Sequence, residues 1–419
     1  MKKYFLFPSI KFQYVSSMPF MFSGHKPIMV FGEPSIDLPK NSYFVDAISG
    51  DLDYSQFISK IFDETDVFSK ISDIIKQQNV LFVNSFQTAK GFEKLFNIPE
   101  VKPFNLSIEE TNLLNKKTFQ YSFLDGAVPL PKFKIASSKN PLKYFNDLKS
   151  SKGVFTSLDD VLGGTGTKIH KSEDSLNEYF NNQKSQFDFL MVEALDLDYC
   201  PCVDVIIANK NEIYQFGLLD QIMDGLYAQG TVYPSKADFR IRSQIFDITH
   251  VVAEKIADMG ISGYVSFDYL VDKSGNLYFG EINPRFSASS NERMLMMDSV
   301  RPPNSPTIMD LAFMASYEKS FNGHPLWVEP QNMCWIKSEL TAESDSIVMK
   351  NYSNTDEFSL FKNTSSDWSL VGQRPEGTIV KKDDSVAKYV AVFSDISNVD
   401  VITNHFNQIR KSFFNHTKR

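Results

Sequence analysis

The first hundred residues alternate short apolar runs, Tyr4-Phe-Leu-Phe, Pro27-Ile-Met-Val-Phe and Val80-Leu-Phe-Val, with polar stretches of helical character such as Ser69 to Gln78. That order predicts βαβ units on a parallel sheet. No Gly-x-Gly-x-x-Gly follows the first run, which disfavours dinucleotide binding in this region. Pro103-Phe-Asn-Leu-Ser107 reads as a linker into Ser107-Ile-Glu-Glu110, a capping-box pattern that starts a helix carrying Asn115-Lys116-Lys117. Ala127-Val-Pro-Leu-Pro131 ends that helix and begins a strand. A further helix is expected from about Ser172 to Phe180, then two strands with a short connection from Phe187 onward. A polar loop from Leu218 to Ser235 precedes a long helix from about Asp238 to Met259. Beyond about Ser320, Gly377-Thr-Ile-Val and Lys388-Tyr-Val-Ala-Val-Phe read as strands, and no chemistry is visible there.

Two β-prone runs carry acids. In Gly263-Tyr-Val-Ser-Phe-Asp268-Tyr-Leu-Val-Asp, Asp268 alternates with Phe267 and Tyr269; after an Asp-Lys-Ser-Gly-Asn turn, Glu281 sits between Phe279 and Ile282. A carboxylate in such a run needs a cation, an ion pair or a solvated face. One such acid alone is explained by a hairpin with a polar outer face. The ordered set Asp268, Glu281, Asn283 and Arg285 asks for more. Magnesium takes one or two hard oxygen ligands from a protein, at roughly 2.0–2.1 Å, and fills the rest from phosphate and water. Asp268, Glu281 and Asn283 offer those oxygens, and Arg285 offers a donor for charge on a transferred phosphoryl group.

This stretch resembles the carboxylate end of the site in the ATP-grasp superfamily, as in biotin carboxylase, D-alanine ligase and the carbamoyl-phosphate synthase large subunit. The continuation Asn283-Pro-Arg-Phe-Ser-Ala-Ser-Ser290 is most similar to the last of these. The resemblance covers roughly residues 107 to 300. It implies an α+β ATP-grasp core over 107–320, with a lid subdomain at about 130–195, an α/β domain over 1–106 and a small β-rich domain over 321–419. It also implies roles for particular residues. Lys116 would reach the nucleotide phosphates. Gly163, Gly164, Thr165, Gly166 and Thr167 would form the lid's glycine loop, whose backbone N–H groups can turn toward an anion; the spacing is not that of a P-loop. Met191, Val192, Glu193 and Ala194 would form the adenine hinge, Asp198 and Glu193 would serve the ribose, and Asp220 would pair with a substrate ammonium.

One departure stands out: the family's strand before the glycine loop usually carries a phosphate-binding lysine, whereas this chain reads Val154-Phe-Thr-Ser157. The activity implied is that of a carboxylate-amine ligase. With ATP and magnesium or manganese, a carboxylate would become an acyl phosphate that an amine captures, with amino acids as the expected substrates. Two alternatives share the same core, namely a bicarbonate-activating enzyme of carboxylase or carbamoyl-phosphate type and a degenerate ATP-binding regulator. Biotin is not implied, because no Met-Lys-Met carrier motif is present.

Composition narrows the partners. With 419 residues, 42% of them hydrophobic, the chain can bury a large core divided into about two to four units. A net charge of −8 and no basic block argue against nucleic acid and against anionic lipid. The N-terminal apolar run is broken by Pro8 and Lys11, so a first strand is expected in place of a signal peptide. No run approaches the roughly 20 apolar residues of a membrane-spanning helix. Three cysteines form no disulfide framework, Cys200-Pro-Cys202 matches no redox or zinc spacing, and six histidines show no metal-ligand pattern. A cytoplasmic location follows as the expectation, and a homodimer is compatible with it.

Overall fold

The computed structural model describes residues 3–9, 16–18, 21, 26–40, 42–46, 54–63, 65–77, 79–83, 93–159, 166–181, 186–342, 344–352, 357–362, 367–382, 384–395 and 399–416. Strands β1 (Lys3–Ser9), β2 (Lys26–Phe31), β3 (Tyr43–Phe44), β4 (Val80–Val83) and β5 (Val101–Pro103) form a parallel sheet in the order β3-β2-β1-β4-β5. The apolar runs of the first hundred residues are its strands, and helices Tyr54–Asp63 and Thr65–Lys76 lie between β3 and β4. Leu6, Val30 and Leu81 pack with Ile58 and Ile71 of these helices.

The capping box at Ser107 and Glu110 is formed, and the helix it starts runs Ile108–Asn115. This helix does not continue through Lys117. Lys116 takes an extended backbone and a second helix, Lys117–Leu124, begins beyond it. A four-stranded sheet follows, built from β6 (Phe133–Ser137), β7 (Val154–Leu158), β8 (Thr167–His170) and β9 (Asp188–Glu193) in the order β6-β9-β7-β8, all antiparallel. The helix Glu173–Asn181 packs Leu176 and Phe180 against Phe189.

The largest sheet contains β10 (Leu197–Asn209), β11 (Glu212–Asp224), β12 (Tyr227–Tyr233), β13 (Gly263–Asp272), β14 (Leu277–Asn283) and β15 (Cys334–Thr341). A short strand, β16 (Ser346–Val348), pairs outside it with β18 (Ile379–Val380) and β20 (Phe414–His416), while β17 (Asp367–Val371) and β19 (Ser385–Phe393) complete the large sheet as β14-β13-β10-β11-β12-β15-β19-β17. The C-terminal segment is therefore β-rich, and three of its strands extend the central sheet. The expected polar loop from Leu218 to Ser235 is instead most of an antiparallel hairpin, turning at Gly225. Its far strand β12 pairs with β15, more than a hundred residues later, and that pairing holds polar Thr231 in a strand.

The central sheet is covered on both faces. Helix Phe239–Asp258 is capped by Asp238, and its Ile241, Ile245 and Val252 lie against Val203, Val205 and Phe267. Helices Ser290–Ser299 and Ile308–Glu318 set Met294, Leu311 and Ala312 against Ile206 and Tyr264 on the other face. Among the described residues, no helix is long and apolar enough to cross a membrane.

Candidate active site

Asp268 and Glu281 face each other across the β13–β14 ladder, and Asn283 lies two pairs further along, opposite Ser266. Strict alternation would put Phe279 and Glu281 on the same face. The ladder steps between Asp268 and Tyr269, so Gly280 is an extra residue in β14. This bulge lets Phe279 enter the core with Tyr269 while Glu281, two residues on, joins Asp268 on the opposite face. Gly280 is required by space: a Cβ there would lie 2.9 Å from the Asp268 main-chain oxygen.

The amide of Asn283 donates to both acids, with Nδ2 3.1 Å from Asp268 Oδ2 and 3.1 Å from Glu281 Oε1. The second carboxylate oxygen of Glu281 meets Lys117 Nζ at 2.5 Å. Arg285 donates to Asn283 Oδ1 at 3.3 Å and to the Phe286 carbonyl at 3.3 Å. Burial and the facing Glu281 push the Asp268 carboxyl up to about 7. Burial also pushes on Glu281, but Lys117, Arg285 and the Asn283 amide outweigh it and hold that carboxyl below its usual value. Two opposed carboxylates, one of them reluctant to ionise, offer hard oxygens that a divalent cation fits: the cation would relieve the repulsion that raises Asp268, whereas the Asn283 oxygen is turned to Arg285 and would join the set only on rotation of its amide.

Lys117 was not among the residues singled out from the sequence; its neighbour Lys116 was. The break between the two helices decides between them. Lys116 is exposed at the joint, whereas Lys117 opens the second helix and reaches the acids with 14% of its side chain exposed. Gln120, one turn further, is wholly buried and holds that helix to the sheet. Its amide donates to the Ile282 carbonyl at 2.8 Å and accepts from the Ile282 N–H at 2.9 Å, closing the outer edge of β14 as another strand would. Its Nε2 also donates to the Leu114 carbonyl at 2.6 Å.

Behind the acids lies a second set that sequence reasoning missed. Asp204 and Arg293 form a fully buried ion pair, and Asp204 also accepts from Tyr264 Oη and, at 3.0 Å, from Ser290 Oγ. Arg293 reaches Cys202 Sγ at 2.7 Å, and Cys202 is the ladder partner of Asp268. Gly217, at φ +69°, makes room for it, since a Cβ there would lie 2.7 Å from Arg293 Cδ. A charged residue in a helix ordinarily faces water, so nothing in Ser-Ser-Asn-Glu-Arg announces this burial.

The other expected residues fall in three groups. Gly163, Gly164 and Thr165 lie outside the described residues. Gly166 occupies a left-handed turn at φ +74°, and Thr167 opens β8 opposite Ser157. Buried Thr156 and Ser157 stand on β7 where the family carries its lysine, and Thr156 Oγ1 lies 3.1 Å from His170 Nε2.

Met191, Val192 and Ala194 are buried in or beside β9, and two hinge donors are already in use: the Glu193 N–H meets the Lys132 carbonyl at 2.9 Å and the Ala194 N–H meets the Gly153 carbonyl at 3.2 Å. The Glu193 carboxylate accepts from the Lys132 N–H at 2.9 Å, which differs from the ribose contact expected of it. Asp198, the other acid expected at the ribose, is half exposed and paired with Lys236 at 3.1 Å. Asp220 is likewise not presented to a substrate amine. It accepts from Ser235 Oγ at 2.6 Å and from the Lys236 N–H at 2.7 Å, fixing the turn into the long helix.

No family model matches the chain. A curated relative, the N5-carboxyaminoimidazole ribonucleotide synthase of Staphylococcus haemolyticus, is 22% identical over 254 residues, which span 60% of this chain and 62% of that protein's length. Among solved structures, N5-carboxyaminoimidazole ribonucleotide synthetase from Thermotoga maritima superposes with a TM-score of 0.62 at 15% identity, covering 98% of each chain. Biotin carboxylase from Campylobacter jejuni, in a β-γ-ATP complex, reaches a TM-score of 0.70 at 15% identity over 98% of this chain and 91% of its own. The chain has the ATP-grasp fold.

Proposed function

We propose that this protein is an ATP- and magnesium-dependent ligase that activates a small carboxylate by phosphorylation and transfers the acyl group to an amine. The observation that carries the reading is the facing pair Asp268 and Glu281, bridged by Asn283 and flanked by Lys117 and Arg285. Asp268 and Glu281 would hold the metal, and the Asn283 oxygen would join them once its amide turns away from Arg285. A divalent cation there supplies charge neutralisation around the β- and γ-phosphates. Arg285 donates to the oxygens of the group in transit, and Lys117 provides a second cation that the missing lysine of β7 would otherwise supply. A carboxylate oxygen attacks the γ-phosphorus and the bond to ADP breaks. The amine nitrogen then attacks the acyl carbon, phosphate leaves, and the nitrogen loses a proton. The lid sheet β6–β9 would keep water from the acyl phosphate.

The names of the similar proteins favour bicarbonate over an amino acid as the carboxyl substrate. They are carboxyaminoimidazole ribonucleotide synthases and carboxylases, and one was solved with MgADP and bicarbonate. Amino acid substrates, expected from the resemblance alone, have no such support. A cytosolic location goes with this reading, and the three cysteines are buried thiols.

The test is ADP release with Mg-ATP and bicarbonate, screened with and without small amines that include aminoimidazole ribonucleotides. ADP release that requires bicarbonate, and accelerates with an amine, supports the proposal. Release that requires an organic carboxylate and ignores bicarbonate returns the amino-acid reading. Folded protein whose melting temperature does not move with Mg-ATP or Mg-ADP overturns both.

A further inference from the structure

Helix Lys117–Leu124 stands between two sheets. On one side Gln120 closes the edge of β14 and Lys117 meets Glu281. On the other, buried Tyr121 packs among Leu190 and Val192 of β9, its ring edge-on to Phe133 of β6 with centroids 5.2 Å apart. A helix of eight residues is too short to hold itself, so its first turn depends on what it touches.

That turn is capped from outside. The N-cap position is Lys116, whose side chain makes no cap bond; a lysine carries donors only, where the free N–H groups of a helix start need an acceptor. Asp159, the residue after β7, supplies it. One of its carboxylate oxygens accepts from the Thr118 N–H at 3.0 Å and the other from the Thr118 hydroxyl at 2.5 Å. The acid thereby also meets the positive end of the helix. Its place on the β6–β9 sheet gives the contact leverage. Strand β7 pairs Val154 with Glu193 and Leu158 with Phe189, so Asp159 lies at the end of β7 remote from Glu193, where β9 leads toward β10. A swing of the sheet about that connection moves Asp159 furthest.

We propose that Asp159 is a positioning residue that couples the β6–β9 sheet to Lys117: the acid fixes where the helix starts, and the start fixes where Lys117 points. With the cap made, Lys117 is held at Glu281. When the sheet lifts, the cap is lost, the first turn frays and Lys117 leaves the acids. The inference rests on the reading of β6–β9 as a lid over the acid cluster.

Hydrogen–deuterium exchange on the ligand-free, full-length protein gives the first arm of the test. Asp159→Ala should raise the exchange rate about tenfold in residues 117–120 and also in β7, the scale of one lost helix cap. Asp159→Asn keeps an acceptor and should stay within about threefold of wild type. Thr118→Val, which removes the hydroxyl alone, should shift the same two segments, and it serves as the test if Asp159→Ala does not fold. Faster exchange in the helix alone makes Asp159 an ordinary cap and overturns the coupling, as does no change in either segment. Turnover of Mg-ATP gives the second arm. Asp159→Ala should lower kcat, Asp159→Asn should restore most of it, and Lys117→Ala combined with Asp159→Ala should be no slower than Lys117→Ala alone. Losses that multiply in the double variant overturn the proposal. Wild-type protein that releases no ADP under any condition sinks the ligase reading instead, and the exchange arm still decides the coupling.

Discussion

Lys117 Nζ lies 2.5 Å from Glu281 Oε2, so a helix and the edge strand it packs against share one ion pair at the mouth of the acid cluster. Lys117 supplies positive charge to the Glu281 carboxylate. On the proposed reading a cation that takes that carboxylate would free Lys117 for the anion that accompanies it. Lys117→Ala should therefore lower turnover by about 10²-fold, the scale of losing one preorganised charge-stabilising donor. Lys116→Ala should act mainly on the KM for nucleotide, because Lys116 is exposed and holds no residue of the cluster. Steady-state kinetics on both variants check this, and equal effects of the two substitutions would refute it.

Asp268→Asn and Glu281→Gln should each abolish ADP release and leave the metal-free fold intact. Asp268→Asn should stabilise it slightly, because burial and the facing Glu281 disfavour the charged form of this carboxyl. Melting curves with and without magnesium and nucleotide give the answer. Wild-type turnover in both variants would reduce the pair to the polar face of a hairpin.

Gly280→Ala tests the bulge. The new Cβ would meet main-chain atoms of Asp268, 2.9 Å and 3.3 Å away, and neither can swing aside. A loss of about 1–3 kcal/mol is expected, of the order seen for overpacking. Activity should fall further than stability accounts for, because the register that aims Glu281 is lost. Denaturant unfolding measured beside kcat separates the two effects.

Gln120→Leu would leave the N–H and carbonyl of Ile282 without their partner in a buried place. Such unmade bonds cost about 1–3 kcal/mol each. The expected outcome is a lower melting temperature together with faster amide exchange at Ile282, read by hydrogen–deuterium exchange.

Asp298 sets a pH dependence away from the cluster. It accepts the Ile308 N–H at 3.1 Å, yet burial pushes its carboxyl from 3.8 up to about 7. The folded chain then binds this proton more tightly than the unfolded chain. The contribution therefore favours folding at low pH and is lost as pH rises from about 4 through about 7. Asp298→Asn should flatten that part of a plot of melting temperature against pH, and an unchanged slope would assign it to other groups.

How much of this was legible in the chain follows from distance along it. Asp268, Glu281 and Asn283 belong to one hairpin, and the Ser107–Glu110 cap lies within one helical turn, so local pattern found them. The bulge at Gly280 was invisible because a glycine in a strand marks many things. Lys117 was missed by one residue, since a helix assumed continuous puts Lys116 and Lys117 about 100° apart and cannot say where it breaks. The Asp204–Arg293 pair joins residues about ninety positions apart and β12 pairs with a strand more than a hundred residues on, which no window of sequence brings together.

The three C-terminal strands in the central sheet bear on where the chain can be cut. A protein stopped near residue 320 would keep every acid of the cluster yet strip β15 from Gly230 to Tyr233. It would present a bare strand edge flanked by Ile222 and Val232, side chains that now pack among the residues of β15 and β19. Such an edge pairs with its own copies. A truncated catalytic core would be recovered as aggregate, so the tail acts as the cover that keeps this sheet single.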